Sequence, residues 1–306
     1  MLGFLGGVAL VVVLLGLLMF RVTACAPPTP RPETGPGVQA PGALPVPPAP
    51  KVSVNCRASG WEGAANINAR ALRALPWAPF RRPEVGWEVY APLIAREVGA
   101  ACAPDTPGFA AAYAAWQKAQ LLPVNGIVSD GDFQRLRGII QSRRQFVRNQ
   151  GTGICPEPPP EATLEWGRAG EGYSGKPVQL RPAVFAAYRQ MVAAAKAEDS
   201  QIAADPRNLT IFSAYRSPDA DAARCAKEGN CDGIVRAACS PHRTGLAMDI
   251  YVGQAPGFGP DSSADPNRLF MTKTATYRWM LANAHRFGFV NYPLEPWHWE
   301  WTGEAP

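Results

Sequence analysis

Two histidine-containing segments near the C-terminus constrain the fold of this 306-residue chain more than any other feature. The first runs from Ser240 to Asp249 and contains His242, and the second runs from Glu295 to His298. The whole chain has three histidines, and two of them lie in these segments. Imidazole and carboxylate groups together suit Zn²⁺, and a catalytic zinc site keeps three protein ligands and one position open to water. We therefore expect the fold to gather His242, Asp249 and His298 around one Zn²⁺ per chain.

Both histidine-containing segments are predicted to form β-strands. Residues 246–252 are rich in branched and aromatic side chains and follow Gly245, which favours a turn. Three tryptophans at alternate positions, Trp297, Trp299 and Trp301, begin in the second segment and continue just after it. Because side chains alternate between the faces of a strand, the tryptophans would share one face and His298 the other. Glu295 has the wrong parity for the His298 face, so a bend at Pro296 is needed to turn Glu295 towards the metal.

Four motifs in order make the stretch from about residue 164 to residue 303 similar to a known family. They are Ser213–Ser217, Ser240–Asp249, Asn283–Phe289 and Glu295–His298. The stretch resembles the zinc D-Ala-D-Ala carboxypeptidases related to the vancomycin-resistance enzymes. Their wider group includes phage L-alanyl-D-glutamate endopeptidases and the hedgehog signalling domain. Because a motif is a hypothesis until its structural context agrees, the fold has to test this resemblance.

The resemblance implies a role for each residue of the site. The zinc ligands correspond to His242, Asp249 and His298, the catalytic base to Glu295, and the residue that steadies substrate and transition state to Arg216. The residues predicted to contact substrate are Ser240, Tyr215, Ser217 and Trp297. For Ser240 a turn role ahead of Pro241 is the alternative. Family members often carry glutamine shortly after the Tyr-Arg-Ser motif, whereas this chain has Asp219 and Asp221.

The predicted function is zinc-dependent hydrolysis of the D-Ala-D-Ala termini of peptidoglycan stem peptides. Zinc lowers the pKa of its bound water, and a carboxylate beside it, here Glu295, takes the proton as the water attacks the amide. The alternatives are a peptidoglycan endopeptidase that cuts L-Ala-D-Glu or cross-link bonds, and a non-catalytic wall-binding protein on the same scaffold. Glu295 favours an enzyme, because a metal-supported binder does not need that carboxylate.

The first 50 residues are predicted to export and tether the rest of the chain. Residues 1–25 contain a long uncharged apolar run, which indicates a membrane anchor or a lipoprotein signal with Cys25 as the lipidated residue. Residues 26–50 contain ten prolines, a composition typical of an extended linker. We therefore expect an exported protein facing the periplasm or cell wall, in contact with the membrane through its N-terminus.

Residues 51–150 are predicted to form a mostly helical domain. A helix from Trp87 to Val98 is expected to be interrupted by Pro92, and a second is expected near Asp130–Arg148. The stretch Ala110–Leu136 resembles a small peptidoglycan-binding module, although aromatic side chains at helical spacing more often form a plain core than a ligand platform. Five arginines between residues 135 and 148 have no acid among them, which suits either an anionic wall polymer or a solvated helix face.

The remaining boundaries place a linker at residues 151–163 and the zinc D,D-peptidase domain at residues 164–306. The alternation of helices with short strands predicts an α+β fold in which a small antiparallel sheet, flanked by helices, holds the metal. The net charge of +5 fits anionic surroundings. The chain lacks the aromatic-interleaved basic patterns of nucleic-acid modules, so we expect no nucleic-acid partner. A monomer is expected.

Seven cysteines are consistent with an exported protein that contains disulfides. We expect a bridge between Cys56 and Cys102 in the helical domain. Cys225, Cys231 and Cys239 are expected to brace the loop before the metal motif, with at least one bridge among or from them. The alternative is a structural zinc site made by these three cysteines and His242, which the complete His/Asp/His set and the oxidising surroundings argue against.

Overall fold

The computed structural model describes residues 56–150, 155–229 and 240–303, except for the side chains of residues 149, 150 and 228. All of these residues belong to one compact unit, residues 52–306. The predicted anchor or signal at residues 1–25 and the linker at residues 26–50 lie outside the described residues. Within the described ranges, no helix has the length and apolar character needed to cross a membrane.

Residues 56–150, here called the helical region, consist mainly of helices, as predicted. The helices are α1 (Glu62–Ala74), α2 (Ala91–Val98), α3 (Pro107–Ala119), α4 (Asp130–Gln141) and α5 (Gln145–Gln150), with a short hairpin of β1 (Pro76–Trp77) and β2 (Glu84–Val85) between α1 and α2. Side-chain caps define two helix starts: Thr106 accepts from the N–H of Phe109 and Ser129 from the N–H of Asp132.

Two details of the predicted helices are wrong. Pro92 lies in the first turn of α2 instead of interrupting a helix that begins at Trp87, because proline fits a first turn, where its missing N–H has no helical partner. The predicted helix from Asp130 to Arg148 is two helices, α4 and α5, separated at residues 142–144. The arginine-rich stretch therefore bends, so its arginines do not all lie on one solvated face.

The second region, residues 155–229 and 240–303 and here called the sheet region, is built on a four-stranded antiparallel sheet. Its strands are β5 (Ile211–Ser213), β6 (Ala247–Ile250), β7 (Phe289–Asn291) and β8 (His298–Trp301), in the order β5-β6-β8-β7. A further two-stranded pair, β3 (Glu165–Trp166) with β4 (Gln179–Leu180), lies outside this sheet. The helices are α6 (Pro182–Glu198), α7 (Ser200–Ala204), α8 (Pro218–Glu228), α9 (Asp265–Met271) and α10 (Ala275–Asn283). The prediction of an α+β fold with an antiparallel sheet is confirmed.

Helix α6 shows why the sequence folds this way locally. Pro182 occupies its first turn, and Phe185, Tyr188 and Met191 recur every third residue along one face. All three side chains are buried in the core. The hydroxyl of Tyr188 donates to the backbone carbonyl of Leu209, so the polar end of this buried ring is satisfied.

The helical region and the sheet region share one hydrophobic core. A single cluster of buried side chains joins aromatic residues of the helical region, such as Trp87 and Phe133, with residues of the sheet, such as Phe289 and Trp299. Polar contacts also cross between the regions, including the Gln141 side-chain amide, which donates to the backbone carbonyl of Asn291. The division of residues 51–306 into two domains with a linker at 151–163 remains a prediction.

Disulfides are present where the sequence predicts them. Cys56 and Cys102 are bonded, with a Cα–Cα distance of 5.6 Å, which confirms the first prediction. Cys225 is also disulfide-bonded, so at least one bridge does involve the group before the metal motif. Cys155 is disulfide-bonded as well. Cys231 and Cys239 lie outside the described residues, and so does Cys25.

Candidate metal centre

The sheet and an adjoining turn bring the three predicted ligands together. Asp249 on β6 and His298 on β8 are direct partners across the antiparallel ladder. His242 lies on a 3₁₀ turn, Pro241–Thr244, that precedes β6. Gly245 ends this turn with a φ of 69°, a left-handed conformation that favours glycine. One potential ligand atom from each residue lies within 4.8 Å of the other two, so the predicted group is confirmed as a possible metal site.

Each of the two histidines bonds a backbone or carboxylate oxygen through one ring nitrogen and turns its other ring nitrogen towards Asp249. The Nδ1 of His242 lies 2.8 Å from the backbone carbonyl oxygen of Ala214, to which it donates, so its Nε2 is available 3.2 Å from Asp249. The Nε2 of His298 lies 3.3 Å from a carboxylate oxygen of Glu300, and its Nδ1 lies 2.8 Å from Asp249. Each ligating histidine in a metal site typically donates its other N–H in this way. The donor set therefore fits a divalent metal such as Zn²⁺.

Burial and charge act strongly on this group. Burial alone would raise the pKa of Asp249, yet the charges of His242 and His298 hold it well below its usual range. Burial alone would lower the pKa of His298, but hydrogen bonds to Asp249 and Glu300 outweigh it and raise the pKa to about 9. Two imidazoles thus converge on one buried carboxylate. A bound cation would take the place that protons hold between these groups.

Glu295 lies beside the ligands without being one of them. Its backbone N–H donates to Tyr292 at 2.8 Å, and its carbonyl accepts from the N–H of His298 at 2.9 Å, so it sits in the turn between β7 and β8. This turn supplies the bend that the strand parity required. Burial and the charge of Asp249 raise the pKa of Glu295, against the opposing charges of His298 and His242. A carboxylate with a raised pKa next to a metal site is suited to accept and return a proton.

Arg216 and Ser240 are connected to the turn that carries His242. The guanidinium of Arg216 donates to the hydroxyl of Ser240 at 3.0 Å, and that hydroxyl also accepts from the N–H of His242 at 3.3 Å. Ser240 therefore caps the metal turn, which is the turn role that the sequence left open for it. Arg216 is also paired with Asp221, one of the two acids that stand near the family's glutamine position.

The other predicted substrate residues have local structural roles. Ser217 is the N-cap of α8 and accepts from the N–H of Ala220 at 3.3 Å. Trp297 is 4% exposed and belongs to the core. Tyr215 is half-buried, and its backbone N–H donates to Gln179 at 2.9 Å. A contact of Tyr215, Ser217 or Trp297 with substrate remains a prediction.

Sequence reasoning did not find Glu300 and Arg144 as part of the site. The parity of β8 does place Glu300 on the same face as His298, so this signal was visible in the sequence. Arg144 was included in an arginine-rich stretch expected to face solvent or an anionic polymer. It is instead buried against Glu300, a residue 156 positions away.

The fold and the site together define an α+β domain with a His/Asp/His metal centre and an adjacent carboxylate, an arrangement typical of metallopeptidases. Residues 177–304 match the family model of VanY, the D-alanyl-D-alanine carboxypeptidases. This confirms the resemblance for the sheet region, while the resemblance of the upstream region to a peptidoglycan-binding module remains a prediction.

Two solved structures are similar to parts of the chain. The first is the LdcB LD-carboxypeptidase, at 27% identity and a TM-score of 0.30, with 41% of this chain and 60% of that chain covered. The second is a variant of the D,D-pentapeptidase VanY from a VanB-type resistance cassette, in complex with Zn(II). It has 21% identity and a TM-score of 0.29, with 49% of this chain and 87% of that chain covered. The comparison with curated proteins gives no match.

Proposed function

We propose that this protein is a zinc-dependent carboxypeptidase that removes the terminal D-alanine from peptidoglycan stem peptides ending in D-Ala-D-Ala. The observation that carries the proposal is the buried group of His242, Asp249 and His298 with Glu295 beside it. This group lies inside the stretch that matches the D-alanyl-D-alanine carboxypeptidase family. The three ligands use imidazole and carboxylate donors, and a catalytic zinc site of this type keeps one position open.

The residues of the site divide the chemistry between them. His242, Asp249 and His298 would hold Zn²⁺, which when bound lowers the pKa of water and polarises the scissile carbonyl. Glu295 accepts a proton from the attacking water and donates it to the leaving amine of D-alanine. Arg216, fixed by Asp221 and Ser240, is proposed to stabilise the negative charge that develops on the carbonyl oxygen.

The experiment compares three substrates with purified protein containing residues 52–306. They are a stem pentapeptide ending in D-Ala-D-Ala, the tetrapeptide without the last residue, and a cross-linked dimer. Mass spectrometry identifies the products, and Glu295→Gln is the matched control. We expect one D-alanine to leave the pentapeptide. Cleavage of the tetrapeptide alone would make the protein an L,D-carboxypeptidase, and cleavage of the dimer alone would make it an endopeptidase. No product from any substrate would leave a wall-binding role.

We also propose that the chain acts outside the cytoplasm, tethered through its N-terminal segment. The family that residues 177–304 match acts on the cell wall, and the disulfides fit an oxidising compartment. Membrane fractionation of the full chain and of a Cys25→Ala variant tests the tether. If the variant loses radiolabelled lipid and leaves the membrane, Cys25 is the lipid anchor. If it stays, the apolar run is the anchor.

A further inference from the structure

Glu300 connects the metal centre to the helical region. It lies two residues after His298 on the same face of β8, and its side chain is 2% exposed. One carboxylate oxygen lies 3.3 Å from the Nε2 of His298 and accepts two hydrogen bonds from Arg144, at 2.8 Å from Nε and 2.5 Å from Nη2. The other oxygen accepts from the backbone N–H of Phe146 at 3.1 Å. Both oxygens of this buried carboxylate are therefore held by the helical region.

Arg144 is itself fixed from several sides. Its side chain is 7% exposed, and its Nη1 donates to the side-chain oxygen of Gln141 at 3.1 Å. Its guanidinium lies 4.3 Å from the centre of the Tyr292 ring, and that ring is perpendicular to the His298 ring, with 6.3 Å between the ring centres. Arginine suits this position because its planar fork can bond a carboxylate and pack on an aromatic ring at once. The guanidinium thus holds one orientation beside the ligand.

The chemistry of metal sites gives this arrangement a purpose. When a ligating histidine donates its second N–H to a carboxylate, its tautomer and ring orientation are fixed and its basicity rises. Such a carboxylate works only if it stays ionised and in place. A buried carboxylate stays ionised when a cation and hydrogen bonds compensate for its loss of water. Arg144 and the N–H of Phe146 provide both.

We propose that Arg144 and Glu300 are positioning residues for the zinc ligand His298, and that the helical region thereby forms part of the metal centre. This proposal rests on the proposed function, because it assumes that His298 binds a metal. It goes beyond that function in giving the helical region a role in metal binding that is independent of any affinity for peptidoglycan. A fragment starting near residue 160 would lose both supports of Glu300.

The test measures zinc affinity in the chain of residues 52–306 by competition with a chromophoric chelator at fixed pH. In Arg144→Met and Glu300→Gln we expect zinc affinity to fall about 10–100-fold, the usual effect of losing a partner of a ligating histidine. Arg144→Lys, which keeps the charge and can make one of the two hydrogen bonds, should lie between Arg144→Met and the wild type. The absorption spectrum of the Co²⁺-loaded protein should shift in the first two variants, because the His298 ring is no longer held in one orientation.

Two control variants separate positioning from general stability. Arg143→Ala changes the neighbouring arginine, which is paired with Glu97 at 2.6 Å and half-exposed. Glu84→Gln breaks a different buried ion pair between the two regions, with Arg268. Both controls should keep zinc affinity within about 2-fold of the wild type, a change much smaller than the 10–100-fold loss expected when a positioning partner is removed.

The outcomes distinguish the two proposals. If the wild type binds zinc and Arg144→Met binds it equally well, the positioning proposal is overturned while the proposed function stands. The same holds if Glu84→Gln weakens zinc as much as Arg144→Met does, because the effect is then one of stability alone. If the wild type binds no zinc, the proposed function itself fails. If zinc binding changes as expected but no peptide is cleaved, the positioning proposal stands and the catalytic assignment does not.

Discussion

Removing one partner of the buried ion pair between Glu84 and Arg268 should cost far more stability than removing one partner of an exposed pair of the same chemistry. Arg268 lies in α9 with its side chain 0% exposed, and Glu84 lies in the hairpin of the helical region at 4%. The hydroxyl of Tyr90 donates to the second oxygen of Glu84 at 2.9 Å. The Nε and Nη1 of Arg268 have no hydrogen-bond partner among the described residues. The cation thus depends on Glu84 for its compensation.

The change Glu84→Gln leaves this buried cation without its counter-charge. Removing one partner of a buried pair costs about 3–5 kcal/mol, and we expect the lower end because the glutamine oxygen still accepts one hydrogen bond. That is a large share of the roughly 5–15 kcal/mol that stabilises a typical folded domain. Combining Glu84→Gln with Arg268→Met removes the unpaired charge, keeps an acceptor for the Tyr90 hydroxyl and should bring stability back towards the wild type.

Urea unfolding of the unreduced protein at neutral pH, followed by fluorescence and circular dichroism, measures these differences. The matched control is Glu88→Gln, which removes the same group from the exposed pair with Arg73 and should leave the midpoint unchanged within error. A loss below about 1 kcal/mol for Glu84→Gln would place the pair in the range of surface pairs and refute the reasoning. A double variant less stable than Glu84→Gln would refute it too.

Three further predictions concern the metal centre and the disulfide. In metal analysis, His298→Ala should lose most bound zinc, whereas Glu295→Gln should keep near-normal zinc. The turnover of Glu295→Gln should fall about 10²–10⁴-fold, because a positioned base is lost. A fully active Glu295→Gln variant would show that Glu295 takes no part in the mechanism. Glu295 acts in its ionised form, and its pKa is raised above the usual 4.5. As the pH is lowered, kcat/KM should therefore decline with a midpoint above pH 4.5. The residual activity of Glu295→Gln should not show this decline. Replacing Cys56 and Cys102 with serine removes a bridge between residues 46 positions apart. The free energy of unfolding, measured in urea, should fall by about 2–5 kcal/mol. An unchanged unfolding midpoint would contradict this prediction.

The sequence predicted the parts of the site whose information is local. The turn before β6 and the alternation along β8 are set by neighbouring residues, so the face of His298 followed from strand parity. The need for a bend before His298 also followed, because Pro296 and the parity of Glu295 are features of the same short segment. Motif order then indicated that these segments meet around one metal.

The tertiary structure decided what those segments pack against. From the sequence, Arg144 is expected at the surface, because charged side chains are rarely buried. Its partner Glu300 lies 156 residues further along the chain, so no local pattern indicates the pair. The motif of Trp297 predicts a contact with substrate, which stays a prediction, whereas its burial in the core depends on the assembled sheet and helices. Ion pairs and packing between distant segments depend on how the chain folds as a whole, and no local pattern contains them. The sequence therefore determined which residues form the His/Asp/His group and which strands carry Asp249 and His298, and the tertiary structure determined which residues surround His298.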